Sequence, residues 1–194
     1  MELVRAIAPD RPLLVMAVKE EARSYDGELP LLLTGMGKVN AAVGLAAVLA
    51  RSPRPSYVIN LGTDGALLPG WTGTHVIGTV IQHDLDGDLL RQVTGETCGE
   101  PFALADRGGP TLATGDVFVS DSAVRERLAA EASLVDMEAS ALAAAAHHAG
   151  VPIRVVKHVS DDANKAAVKT WGETTAESAC ALAEWIARNI GDRP

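Results

Sequence analysis

Cysteine is nearly absent from this sequence. Its two residues, Cys98 and Cys180, lie far apart, and neither sits in a C-x-x-C pair. A disulfide scaffold is excluded, and no cysteine-based zinc site or redox motif follows. Two reduced thiols in a cytoplasmic protein are expected. Basic clusters are missing as well: 17 Lys and Arg stand against 25 Asp and Glu, a formal net charge of −8. Such a chain is a poor partner for nucleic acid or an anionic membrane, so a small molecule is the expected ligand. Long hydrophobic runs are also lacking. Residues 1–20 are interrupted by Glu2, Arg5, Asp10, Arg11 and Lys19, which suits neither a signal-peptide core nor a spanning helix. No internal repeat is visible. What is present, 47% hydrophobic and 22% charged residues in 194, suits one globular domain, 1–194, with one sizeable core.

Strands and helices alternate along the chain. Leu13 to Val18, Pro30 to Thr34, Tyr57 to Leu61, Val76 to Gln82 and Ile153 to Val159 read as strands, mostly of the continuously apolar, buried kind. Alanine-rich helices are expected over Val39 to Ala50 and Met137 to Ala149, the second closed by Gly150 with Pro152 just beyond. Further helices are expected over Ser122 to Glu131 and Glu173 to Ile190, with Gly191 as the last cap. Gly35–Lys38 and Gly62–Gly65 read as turns, and Thr114 to Asp121 as a turn with a short extended piece. Asp84 to Gly109 reads as a loop with a hairpin. The pattern predicts an α/β fold with a central mixed, mainly parallel sheet flanked by helices.

Three carboxylates stand where such folds place ligands. Glu21, Glu138 and Asp161 each follow an apolar strand or open a helix, the carboxyl edge of an open α/β sheet. Singly, each suits a solvated turn or a helix start; together on one edge they suit acid–base chemistry on a bound neutral molecule. Gly35-Met36-Gly37-Lys38-Val39-Asn40 imitates G-x-G-x-x-G without its third glycine, so dinucleotide binding does not follow. A tight turn before a helix accounts for it, and its N–H groups can face a ligand. His147 and His148 lack metal-ligand spacing and suit the end of a helix. No serine sits in a nucleophile elbow.

Five segments, in order, resemble the purine/uridine phosphorylase superfamily, and within it the 5′-methylthioadenosine/S-adenosylhomocysteine nucleosidases. Ala17-Val18-Lys19-Glu20-Glu21 is similar to A-M-x-x-E. Thr34 to Ala42 is similar to S/T-G-I-G-K-V-x-A-A, and Val58 to Leu67 to V-I-N-x-G-[ST]-x-G-G-L. Thr114 to Val119 is similar to S-G-D-x-F-I. Val135-Asp136-Met137-Glu138-Ala139, Val151-Pro152 and Val159-Ser160-Asp161 match V-x-M-E-A, V-P and I-S-D, the most specific set. The resemblance implies a nucleoside phosphorylase/hydrolase-like fold, a homodimer, a purine nucleoside as substrate, and a reaction without metal or organic cofactor. It implies Glu21 as the base that takes a proton from attacking water and Asp161, beside Ser160, as the acid at purine N7. Glu138 with the Met137 backbone would hold the ribose hydroxyls. Phe118 would stack on the base, with Val119 backbone groups reading its edge, and Thr63 would stand near water and ribose.

Those residue types suit N-glycosidic cleavage, in which the ribose gains cationic character and a protonated purine leaves more easily. The arginines that hold phosphate in the family's phosphorylases have no counterpart after the first strand or in Ile59-Asn60-Leu61. Water is therefore the expected nucleophile. A futalosine hydrolase, a phosphate-dependent phosphorylase and an inactive nucleoside-binding protein are the alternatives. The chain departs from the family pattern in shortened segments over Glu21–Gly35 and Asp84–Gly115. Lys157 stands where bacterial nucleosidases often carry arginine, and Asp64 is an acid inside the glycine-rich segment.

Overall fold

The short apolar runs become strands that helices cover on both sides. A computed structural model of the chain describes residues 1–164 and 167–190, without the side chains of 167–171 and 173. The strands are β1 (Glu2–Val4), β2 (Leu13–Met16), β3 (Leu31–Leu33), β4 (Val58–Ala66), β5 (Thr74–Val76), β6 (Thr79–Gln82), β7 (Phe102–Ala103), β8 (Thr111–Thr114), β9 (Leu134–Asp136) and β10 (Ile153–Asp161). The helices are α1 (Lys19–Ala22), α2 (Lys38–Leu49), α3 (Gly87–Thr94), α4 (Ser122–Ala129), α5 (Ala139–Ala149) and α6 (Ala167–Asn189). The sheet runs β1-β3-β2-β4-β9-β8-β6-β7, with β10 paired to β4 and β5. β2 pairs parallel with β3 and β4, β10 parallel with β4, and β8 parallel with β6 and β9; β1, β5, β7 and β9 add antiparallel contacts.

Why β2 is apolar throughout follows from its two covered faces. Leu13 and Val15 pack with Leu45 and Leu49 of α2 and Leu142 and Ala146 of α5. Leu14 and Met16 point the other way, to Leu182 and Ile186 of α6. Each fully buried leucine contributes roughly 1.5–3 kcal/mol.

The mixed α/β architecture is as expected, and several local readings are corrected. Gly62 to Gly65 is not a turn. β4 continues through it because β10 runs alongside, with Lys157 opposite Gly62, His158 opposite Thr63 and Val159 opposite Asp64; lateral pairing overrides local preference there. Val76 to Gln82 is not one strand. β5 joins β10 and β6 joins β8, and the chain crosses between them at Ile77–Gly78, where Gly78 lies too close to Gly109 for a Cβ on either. The 84–109 segment holds no hairpin. Asp86 caps α3 by accepting from Leu89 N–H at 2.9 Å, and Gly95 closes it in the left-handed region. The Gly191 cap lies outside the described residues.

Candidate active site

Glu21 reaches the sheet edge on a four-residue helix that starts as β2 ends. Its Oε2 accepts from the N–H groups of Ala17 at 3.2 Å and Val18 at 3.4 Å. Its Oε1 accepts from Thr63 N–H at 2.7 Å and the Thr63 hydroxyl at 2.9 Å. Four donors from two elements therefore hold one buried carboxyl in a single orientation. Gly62 makes room for it: a Cβ there would lie 3.0 Å from Glu21 Oε1 and 3.2 Å from Lys157 Nζ.

Asp161 ends β10 after a register shift between Val159 and Asp161. Ser160 is the extra residue of this bulge, a device that re-aims a side chain at a sheet's edge. The Ser160 hydroxyl contacts Asp64 O at 3.1 Å and donates to Asp161 Oδ2 at 2.9 Å, while Ala163 N–H donates to Asp161 Oδ1 at 2.8 Å. Burial pushes the Asp161 carboxyl above its ordinary value, against the lowering effect of those two donors.

Glu138 opens α5, and its Oε1 accepts from Gly37 N–H at 2.8 Å. The glycine turn thus spends a helix-start donor on the carboxyl 101 residues away. Gly37 has φ +89°, a conformation natural to glycine. Burial, then the neighbouring Asp136, pushes the Glu138 carboxyl up to about 7, against the pull of Lys157.

Behind these groups lies a buried ion pair that the sequence reading did not find. Lys157 Nζ sits 2.8 Å from Asp136 Oδ2. Burial alone would lower the lysine's pKa, but Asp136, Glu138 and Glu21 together raise it. Asp136 also accepts from Ala139 N–H at 2.9 Å and from the Thr114 hydroxyl at 2.6 Å. An acidic residue closing the apolar strand Leu134–Asp136 was the signal available for it.

All eight expected site residues line one cavity of about 330 Å³. Glu21 and Thr63 lie on one part of its wall, Ser160 and Asp161 on another, and Met137 and Glu138 between β9 and α5. Phe118 and Val119 come from the segment after β8, Phe118 being 39% exposed. Met36, Asp64, Val117 and Asp136 line it too and were not assigned to the site from the sequence. Among the described residues, no Arg, Lys or His lines the cavity. No group of three His, Cys, Asp or Glu with metal-binding geometry occurs among them.

The sequence profile of the phosphorylase superfamily matches residues 22–190. The chain belongs to that superfamily. Among curated superfamily members, the 5′-methylthioadenosine/S-adenosylhomocysteine nucleosidase of Bacillus pumilus (strain SAFR-032) is 31% identical over 194 residues, 85% of this chain and 81% of its own. That of Bacillus subtilis (strain 168) is 33% identical over 170 residues, 73% and 71% of the two chains. A futalosine hydrolase mutant of Helicobacter pylori superposes with a TM-score of 0.82 at 18% identity, over 95% of this chain and 100% of that one. Sequence identity that low carries the superfamily's fold and not the substrate.

Proposed function

We propose that this superfamily member is a purine nucleosidase, an N-glycosyl hydrolase acting on 5′-methylthioadenosine or S-adenosylhomocysteine and releasing adenine. The observation that carries it is one cavity holding Glu21, Glu138 and Asp161 with no cation on its described wall. Phosphate there would meet carboxylates, whereas water meets a base. The likeness to the two bacillary nucleosidases supports the substrate.

In this reading Asp161 gives its proton to purine N7 as the C1′–N9 bond breaks and its electron pair passes to the base. Water oxygen bonds to C1′, and its proton goes to Glu21. Glu138 and the Met137 backbone hold the ribose hydroxyls, and its negative charge steadies the cationic sugar. Thr63 fixes Glu21. Phe118 stacks on the base at the cavity mouth beside Val119, and Ser160 orients Asp161.

The proposal includes a homodimer in the cytoplasm. Met36, Val39, Val43, Val117 and Phe118 leave apolar surface exposed around the cavity mouth and along α2, a surface that a second copy would cover. Cys98 and Cys180 are free thiols, as a reducing compartment keeps them. Among the described residues, no helix is long and apolar enough to cross a membrane.

The test is base release from methylthioadenosine, adenosylhomocysteine, adenosine, inosine and futalosine, each with and without phosphate. Phosphate-independent release of adenine from one of the first two is expected. Strict phosphate dependence would make the chain a phosphorylase, release only from futalosine would change the substrate, and tight binding without turnover would make it a binding protein.

A further inference from the structure

Among the described residues, the Asp64 carboxyl has no partner in any other residue. It is 3% exposed on β4 and lines the cavity. Among the described residues, neither of its oxygens meets a hydrogen-bond donor from another residue. Its charged neighbours are Lys157 and Asp161 on β10 and Asp136 on β9; Glu21 of α1 and Glu138 at the start of α5 face the same lysine. Five carboxyls thus gather around a single described cation, and that cation is already committed, with Lys157 Nζ 2.8 Å from Asp136.

Asp136 is the knot of the cluster. One oxygen takes Lys157 and the Ala139 N–H that starts α5. The other takes the Thr114 hydroxyl, which itself accepts from Ser140 N–H at 3.1 Å. The first turn of α5, and with it Glu138, therefore stands on Asp136. A buried anion without donors is costly, and the nearest relief for an ionised Asp64 is Lys157.

We propose that Asp64 is a positioning residue for the ribose clamp and works as a neutral acid. Uncharged, it leaves Lys157 to Asp136, and Asp136 holds the α5 start that carries Glu138. Ionised, it draws Lys157 away and loosens the clamp. Burial, the largest influence on this carboxyl, favours the proton, with Lys157 opposing. The inference rests on the nucleosidase reading through the role of Glu138.

The experiment compares wild type with Asp64→Asn and with Asp64→Leu, neither of which can ionise at that position. Both kcat and KM for methylthioadenosine are measured from about pH 6 to about pH 9, and Kd by calorimetry over the same range. The wild-type KM, divided by that of the variant, is expected to rise about fivefold or more across the range, with Kd following and the kcat ratio flat. The melting temperature of the variants relative to wild type is expected to climb as pH rises above about 4. A KM ratio that stays flat, or a change confined to kcat, overturns the proposal. Asp64→Leu carries the test if Asp64→Asn does not fold. Nucleoside binding without turnover sinks the nucleosidase reading alone, because Kd still reports on the clamp. Absence of both binding and turnover in the wild type sinks both.

Discussion

Asp161 can act as an acid only while it holds its proton, and burial favours that form. The expected consequence is a kcat that falls on the alkaline side. Asp161→Asn is expected to lower kcat about a hundredfold or more, with a denaturation curve close to wild type. An unchanged kcat would remove Asp161 from the reaction. Glu21→Gln is expected to stop water attack while still binding nucleoside, which calorimetry beside turnover would check. Lys157 makes a different contribution. It is 1% exposed and paired with Asp136, so Lys157→Met leaves a buried carboxylate without its counter-ion. A loss of about 3–5 kcal/mol in urea unfolding is expected; a loss under about 1 kcal/mol would mean that Asp136 finds another partner. Glu21, Glu138 and Asp161 were legible because each stands beside an apolar run or a motif. Asp136 was not singled out, because an acid ending a three-residue strand looks like any turn acid until Lys157 comes across from β10.

At the scale of elements, the turn at Gly35–Gly37 ties α2 to the clamp. A Cβ on Gly37 would lie 3.1 Å from Asp116 Oδ1, and its φ is +89°. Gly37→Ala is therefore expected to cost about 1–2 kcal/mol, to pull the N–H from Glu138, and to raise KM about fivefold with a smaller change in kcat. Equal KM in the variant would show that Glu138 holds its place without that bond. The long elements were readable: α2, α5, β2 and β10 match their expected places within a few residues, and α6 ends where expected but starts earlier, at Ala167 rather than Glu173. β1, β7, β8 and β9 are two to four residues each. Runs that short carry no periodicity, and their pairing is decided by distant neighbours.

For the whole molecule, the proposed homodimer predicts a two-chain mass by light scattering at micromolar concentration. Val39→Glu with Val43→Glu, on the exposed face of α2, is expected to shift it toward one chain. A single-chain mass for the wild type would leave the apolar surface to another partner. Stability should also follow the buried acids. Asp64, Glu138 and Asp161 all hold protons more firmly in the folded chain than at their ordinary values. The folded state then binds more protons than the unfolded one above about pH 4, so stability falls as pH rises. For Glu138 the window runs from 4.5 to about 7. His83 and His158, whose imidazoles burial lowers below the ordinary 6.5, work the other way, adding stability as pH rises through that range. A lower melting temperature at about pH 8 than at about pH 5.5 is expected. The opposite order would mean that His83 and His158 dominate.

The local chain was enough for the α/β class, the buried strands, the superfamily and eight residues of one cavity. Each of those rests on order along the chain: apolar runs, glycine spacing and short motifs. The continuation of β4 through Gly65, the bulge at Ser160, the Lys157–Asp136 pair and the isolation of Asp64 rest on contacts between β4, β9 and β10. β4 lies some seventy to a hundred residues from β9 and β10 along the chain, and even the nearer pair, Asp136 and Lys157, comes from two different strands. A carboxyl's ionisation depends on what surrounds it after burial, and that environment exists only once the sheet has closed.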